Sequence, residues 1–172
     1  MTLEIIKNRR SIRKYKPAPV SEEKIGAMLE AAMLAPSACN TRPWRFIVIT
    51  SREMLDRLAE VHPYAKMLTT APLCIAVIAL PETQKRDDNL PEGFFPQDCG
   101  AATQNILLQA EAMGLGTCWC GLYPKETTQK AVGDALEIPA GEIPFALIAV
   151  GEKDESPNPR GKYDAERVTR IS

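Results

Sequence analysis

The chain has 172 residues, 45% hydrophobic and 25% charged, with 21 Lys plus Arg set against 22 Asp plus Glu for a formal net charge of -1. That size suits one globular unit burying roughly 70% of its unfolded surface, and the balanced charge argues against a general nucleic-acid binder. The longest apolar run, Leu73 to Leu80, is far too short to span a membrane, and the acidic start at Glu4 leads into no secretory signal, so the expectation is a cytoplasmic protein.

In chain order, residues 3 to 9 read as a short helix with Leu3, Ile5 and Ile6 apolar. The segment Arg9-Arg10-Ser11-Ile12-Arg13-Lys14-Tyr15 follows, with four cations and a hydroxyl in seven residues. Guanidinium forks match phosphate oxygens and the Ser hydroxyl adds a donor, so this is a candidate anion site; the competing reading is a solvated basic turn. Ser21 predicts the N-cap of a second helix with Glu22 and Glu23 in its first turn, an apolar face of Ile25, Met28, Leu29 and Ala32, and a stop at Pro36. A strand is expected over 45–50, a helix capped by Ser51 through about Glu60, and a buried strand over 73–80. Residues 81–97 read as a loop, with Asp98 capping a helix through Met113. A strand at 117–121, a helix at 125–136, a strand at 144–151 and a polar tail from Glu152 complete the chain.

Strands alternating with helices, and apolar runs as continuous as Cys74-Ile75-Ala76-Val77-Ile78 and Ala146-Leu147-Ile148-Ala149-Val150, imply a sheet covered on both faces. Gly114-Leu115-Gly116 sits after a helix and before a strand, the reverse of a dinucleotide fingerprint, and reads as a helix C-cap and a tight strand entry. A P-loop is absent as well. Five scattered cysteines predict reduced thiols, and no metal site is expected. Cys118 and Cys120 fall on one face of their strand. The single histidine, His62, reads as a surface residue, which leaves no acid-base or nucleophilic constellation to find.

Three blocks in order carry a resemblance. Arg9-Arg10-Ser11-Ile12-Arg13-Lys14-Tyr15 resembles the opening signature of the nitroreductase family of flavin enzymes. Ala35-Pro36-Ser37-Ala38-Cys39-Asn40-Thr41-Arg42-Pro43-Trp44 resembles its second signature, a turn feeding a strand. The helix from Asp98 to Leu108, running through Gly114-Leu115-Gly116-Thr117 to Trp119-Cys120-Gly121, is similar to its third.

The resemblance implies an α+β fold, a central sheet flanked by helices, assembled as a homodimer with FMN at sites between the subunits. It implies one FMN-binding unit over 1–172, with 152–172 a polar C-terminal extension. By the same likeness Arg9, Arg10, Ser11 and Arg13 would hold the phosphate and ribityl chain. Pro36, Ser37, Ala38 and Asn40 would reach the ring from the partner subunit, and the backbone at Cys120 and Gly121 would lie near flavin N5. Arg160 and Lys162 would return to the phosphate. Read alone, Pro36 is equally a helix stop, Asn40 an Asx-turn residue, and Arg160 and Lys162 part of a mobile tail.

The implied activity is hydride transfer from NADH or NADPH through the flavin to nitroaromatics, quinones or similar small acceptors by a ping-pong cycle. Neither nucleic acid nor membrane is an expected partner. The alternatives are a flavin carrier or sensor, or a specialised dehalogenase or flavin-cleaving member.

Overall fold

A computed structural model describes residues 2–83, 93–158, 161 and 163–171. The element order is α1 (Glu4–Asn8), α2 (Glu22–Met33), β1 (Trp44–Ile49), α3 (Arg52–Val61), β2 (Leu73–Ala79), α4 (Phe95–Ala112), β3 (Leu115–Gly121), α5 (Glu126–Ala135) and β4 (Ile143–Glu152). All four strands join one antiparallel sheet in the order β1-β2-β4-β3. The continuous apolar runs occupy β2 and β4, the two central strands, where both faces are buried.

Two cores result, one on each face of the sheet. The first gathers Leu55 and Leu58 of α3, Val132 of α5 and the 66–69 turn over Cys74, Ala76, Cys118 and Cys120. The second sets Ile25 and Met28 of α2 and Cys99, Ala102 and Ile106 of α4 over Ile75, Val77 and Ile148. Alternation along each strand sorts side chains between these cores, so β3 sends Cys118 and Cys120 to the first and Leu115 to the second. None of the described helices is long and apolar enough to cross a membrane.

The caps of α2 and α3 match their sequence signals, since Ser21 Oγ accepts from Lys24 N and Ser51 Oγ from Met54 N. The start of α4 does not. The helix begins at Phe95, three residues before the expected cap, with Pro96 tolerated in its first turn because that N–H would have no intrahelical partner. Phe95 is buried edge-on to Tyr123 at 5.2 Å, and anchoring that ring inside draws residues 95–97 into the helix. Of the remaining expected loop, 81–83 form a short helical turn and 84–92 lie outside the described residues.

His62 also departs from expectation. It is 1% exposed rather than on the surface. A buried imidazole needs both nitrogens satisfied, and the backbone of two neighbouring segments supplies the partners described below.

Candidate functional site

After α1 the basic segment runs along the outer edge of β3. Ser11 bridges Thr117 in parallel, Ile12 N donates to Thr117 O at 2.8 Å, and Tyr15 bridges Lys153 beyond it. Ile12 and Tyr15 are buried, whereas Ser11, Arg13 and Lys14 face outward. Gly116 permits this approach, because a Cβ there would lie 2.8 Å from three side-chain atoms of Ile12. Gly114, at φ 76°, is the left-handed residue ending α4. The two glycines thus do different work, a helix stop and a close contact.

The segment opens onto a cavity of about 390 Å³ lined by Arg9, Arg10, Ser11, Arg13, Asn158 and Gly161. Arg10 donates to the carbonyls of Arg9 (2.6 Å) and Asn158 (3.3 Å), holding the C-terminal segment over the cavity. Among the described residues Arg9 and Arg13 form no ion pair, so their charge is available to an anion. Arg160 and Lys162 lie outside the described residues; Gly161, between them, lines the cavity.

Arg13 also lines a second cavity, of about 720 Å³, formed with His62, Tyr64, Lys66, Met67 and the stretch Cys118 to Gly121. A compact cationic pocket therefore adjoins a larger slot of the size small-molecule sites use. The ladder parity of β3 fixes which backbone groups face out of the sheet. Thr117 O is turned outward to Ile12, and Leu122 N is turned inward to Phe145 O. Alternation between them gives Trp119 and Gly121 outward-facing groups and commits those of Cys120 to Leu147 on β4. Of the two residues expected near the flavin, Gly121 therefore carries the presented N–H.

Gly121 meets a further test of fit. Its φ lies outside the left-handed range and a Cβ built on it would meet no atom of the described residues within 4 Å. Neither backbone strain nor packing within the chain demands a glycine here. The missing side chain leaves the cavity wall open at this point of the strand.

Beneath that wall Cys118 and Cys120 are buried side by side. The neighbouring Cys120 thiol lowers the Cys118 thiol pKa, burial opposes this and Arg13 assists it; the Cys120 thiol is pushed up by its Cys118 neighbour and by burial. Tyr15 is pushed up chiefly by burial, and its hydroxyl donates to Ile12 O at 2.5 Å.

The turn from Pro36 to Asn40 lies elsewhere. Neither cavity is lined by Pro36, Ser37, Ala38 or Asn40. The turn feeds β1, at the opposite edge of the sheet from β3, three strand spacings or about 14 Å across. Its backbone is unusual: Cys39, Asn40 and Arg42 have φ of 52°, 54° and 50°. Three non-glycine residues in the left-handed region cost energy that the surroundings must offset. The supports are Ser37 Oγ accepting from Arg42 N (2.9 Å), Asn40 Oδ1 accepting from Arg42 Nε (3.3 Å), and the Asp98 carboxylate accepting from Ala38 N. Asn105 Nδ2 donates to Ala31 O, tying α4 to the helix before the turn.

The sequence reading missed His62, Tyr64, Lys66 and Met67 as cavity residues. The lone signal was Lys66, a cation in an otherwise apolar stretch; nothing in the sequence brings 62–67 beside β3.

The family model described as the nitroreductase family matches residues 6–152. A Methanothermobacter thermautotrophicus protein with the provisional name NADH dehydrogenase/NAD(P)H nitroreductase is 46% identical over 166 residues, spanning 96% of this chain and 84% of that one. A similarly named crystal structure from Parabacteroides distasonis aligns with a TM-score of 0.91 at 37% identity, covering 98% of this chain and 96% of that one. A Desulfovibrio desulfuricans structure, described as a nitroreductase family candidate in complex with FMN, aligns at 0.81 and 30% identity over 98% and 95% of the two chains.

Proposed function

The chain belongs to the nitroreductase family and is an NAD(P)H-dependent, FMN-using oxidoreductase of that type; from this we propose that FMN lies across the two cavities, its phosphate among Arg9, Arg10, Ser11 and Arg13 and its ring along the outer edge of β3. The carrying observation is that Arg13 lines both cavities, so a ligand with one phosphate at one end and a flat ring at the other spans a continuous site. Gly161, in the polar 152–172 extension of a single FMN-binding unit, brings that extension to the phosphate end.

Bound there, FMN would supply the redox chemistry, hydride uptake from NADH or NADPH and its delivery to a nitroaromatic, quinone or similar acceptor in alternating half-reactions. The protein's part is to bind the phosphate by charge, to offer Gly121 N–H to the ring's polar edge, and to wall the slot with Trp119 and Tyr64. No side chain is needed as nucleophile.

The active protein is a homodimer in this reading, with Pro36, Ser37, Ala38 and Asn40 of one subunit completing the site of the other. Two features support it. Within one chain the turn and the arginines are at opposite sheet edges, and Leu3, Ile6, Met33, Leu34 and Trp119 leave apolar surface exposed. All five cysteines are free thiols, which fits a cytoplasmic setting.

An absorbance spectrum of the purified protein, followed by anaerobic addition of NADH and then NADPH, tests this directly. A yellow protein bleached by a nicotinamide and recoloured by menadione or nitrofurazone is expected. A yellow protein that neither nicotinamide bleaches would make it a carrier, and one that takes up no FMN would reject the cofactor.

A further inference from the structure

His62 stands where α3 ends, and its ring joins two segments that both line the larger cavity. Tyr64 N lies 3.1 Å from Nδ1. A backbone amide donates only, so Nδ1 is the acceptor and the proton sits on Nε2. Nε2 is 3.2 Å from Gly121 O and donates to it. Both nitrogens are thereby committed to backbone groups, and the neutral imidazole acts as a fixed brace.

The brace falls on the outer edge at the end of the strand. Gly121 is the last residue of β3, and among the described residues no strand lies beside its outward N–H and C=O. Glycine also has the widest backbone freedom of any residue. Leu122 N and Tyr123 N both bond to Phe145 O, so the chain is held on the inner side immediately after it. On the outer side the Gly121 carbonyl is held by His62. In extended backbone the N–H and C=O of one residue point the same way, so fixing the carbonyl limits the direction of the Gly121 N–H.

Resting on the FMN reading above, we propose that His62 is a positioning residue that holds the Gly121 carbonyl and so aims the Gly121 N–H at flavin N5. The same ring ties the turn bearing Tyr64, Lys66 and Met67 to β3, so the two walls of the slot keep a constant spacing.

The test compares binding of FMN with that of 5-deaza-FMN, in which a C–H replaces the N5 acceptor, in wild-type protein, His62→Gln and His62→Asn. The Gln amide reaches the Gly121 carbonyl as Nε2 does; the shorter Asn amide keeps the Tyr64 contact and falls short of Gly121. Wild type and His62→Gln are expected to prefer FMN roughly tenfold, the scale of one hydrogen bond, and His62→Asn to lose that preference while binding 5-deaza-FMN within about threefold of wild type. Asn and Gln variants that weaken both flavins equally, or an Asn variant that keeps the full preference, would overturn the proposal and leave His62 a packing residue. A wild-type protein that binds both flavins equally would overturn it too, with the cofactor reading intact; one that binds neither would remove that reading as well.

Discussion

Asp98, in the first turn of α4, accepts the backbone N–H of Ala38 with both carboxylate oxygens, at 3.1 and 3.2 Å. The residue expected to cap a helix instead holds a strained turn 60 positions away in sequence. Asp98 is buried, so the interaction is little screened by solvent. Asp98→Ala should cost about 1.5–3 kcal/mol of stability, the range for hydrogen bonds to charged groups, and, on the proposal that the turn it holds completes the partner's site, should also weaken FMN. Urea unfolding and FMN titration measure the two effects. Normal FMN affinity in a destabilised variant would detach the turn from cofactor binding.

Arg9 carries charge into the smaller cavity with no ion pair among the described residues, so Arg9→Ala should weaken FMN by about 1.5–3 kcal/mol and leave riboflavin, which has no phosphate, nearly unchanged. Arg13 borders both cavities, and Arg13→Ala should weaken both ligands. Fluorescence titration with each ligand reads the pattern; equal losses for Arg9→Ala would make the cluster structural.

Two glycines of β3 should respond in opposite ways to alanine. Gly116→Ala drives a methyl against the stiff, β-branched Ile12 and should cost about 1–3 kcal/mol as overpacking does, with FMN weakened because the arginine segment is displaced. Gly121→Ala meets open space among the described residues and should leave the thermal midpoint of the FMN-free protein within about 2 °C, a change of no more than about 1 kcal/mol, while weakening FMN. Tight FMN binding by Gly121→Ala would place the ring away from β3.

Subunit mixing tests the shared site. A heterodimer of Arg10→Ala and Asn40→Asp has one site carrying both lesions and one carrying neither, so two-fold symmetry restores up to about half of its FMN sites. Flavin occupancy after exchange, with light scattering to establish the dimer, gives the answer. A monomer with full occupancy, or mixed dimers that regain nothing, would put every binding residue on one chain.

Thiol chemistry supplies a pH-dependent readout. Burial pushes Cys74 and Cys99 up to about 12, so both stay protonated and unreactive across the neutral range. The Cys118 thiol is lowered by the neighbouring Cys120 thiol and by Arg13. Its thiolate therefore persists below the ordinary thiol value of about 8.5 and is lost as pH falls through the lowered value. Iodoacetamide mapping of the FMN-free protein from pH 6 to 9 should label exposed Cys39 and cavity-lining Cys118, the latter less at the acid end, and FMN should protect Cys118. Labelling of Cys118 unaffected by FMN would contradict a ring lying over it.

Local order is what the sequence by itself determined. Ser21 and Ser51 cap their helices, the apolar runs at 73–80 and 144–151 become the central strands, and the alternation at Cys118 and Cys120 sends both sulfurs to one face, because caps, apolar periodicity and strand alternation act over a few residues. The arginine cluster was legible for the same reason, since its four cations are neighbours in the chain.

What only the tertiary structure decided depends on contacts between distant segments. Asp98 reads as a cap until the turn at Ala38 is seen beside it, and His62 reads as a surface residue until Gly121 is found 3.2 Å from its ring. Strand order placed the Pro36–Asn40 turn and the arginines at opposite edges, and ladder parity chose Gly121 over Cys120 as the residue presenting its N–H. Each of these outcomes is set by which segments pack together, and hydrogen bonds across 59 or 60 residues leave no periodic trace in the chain for a local reading to find.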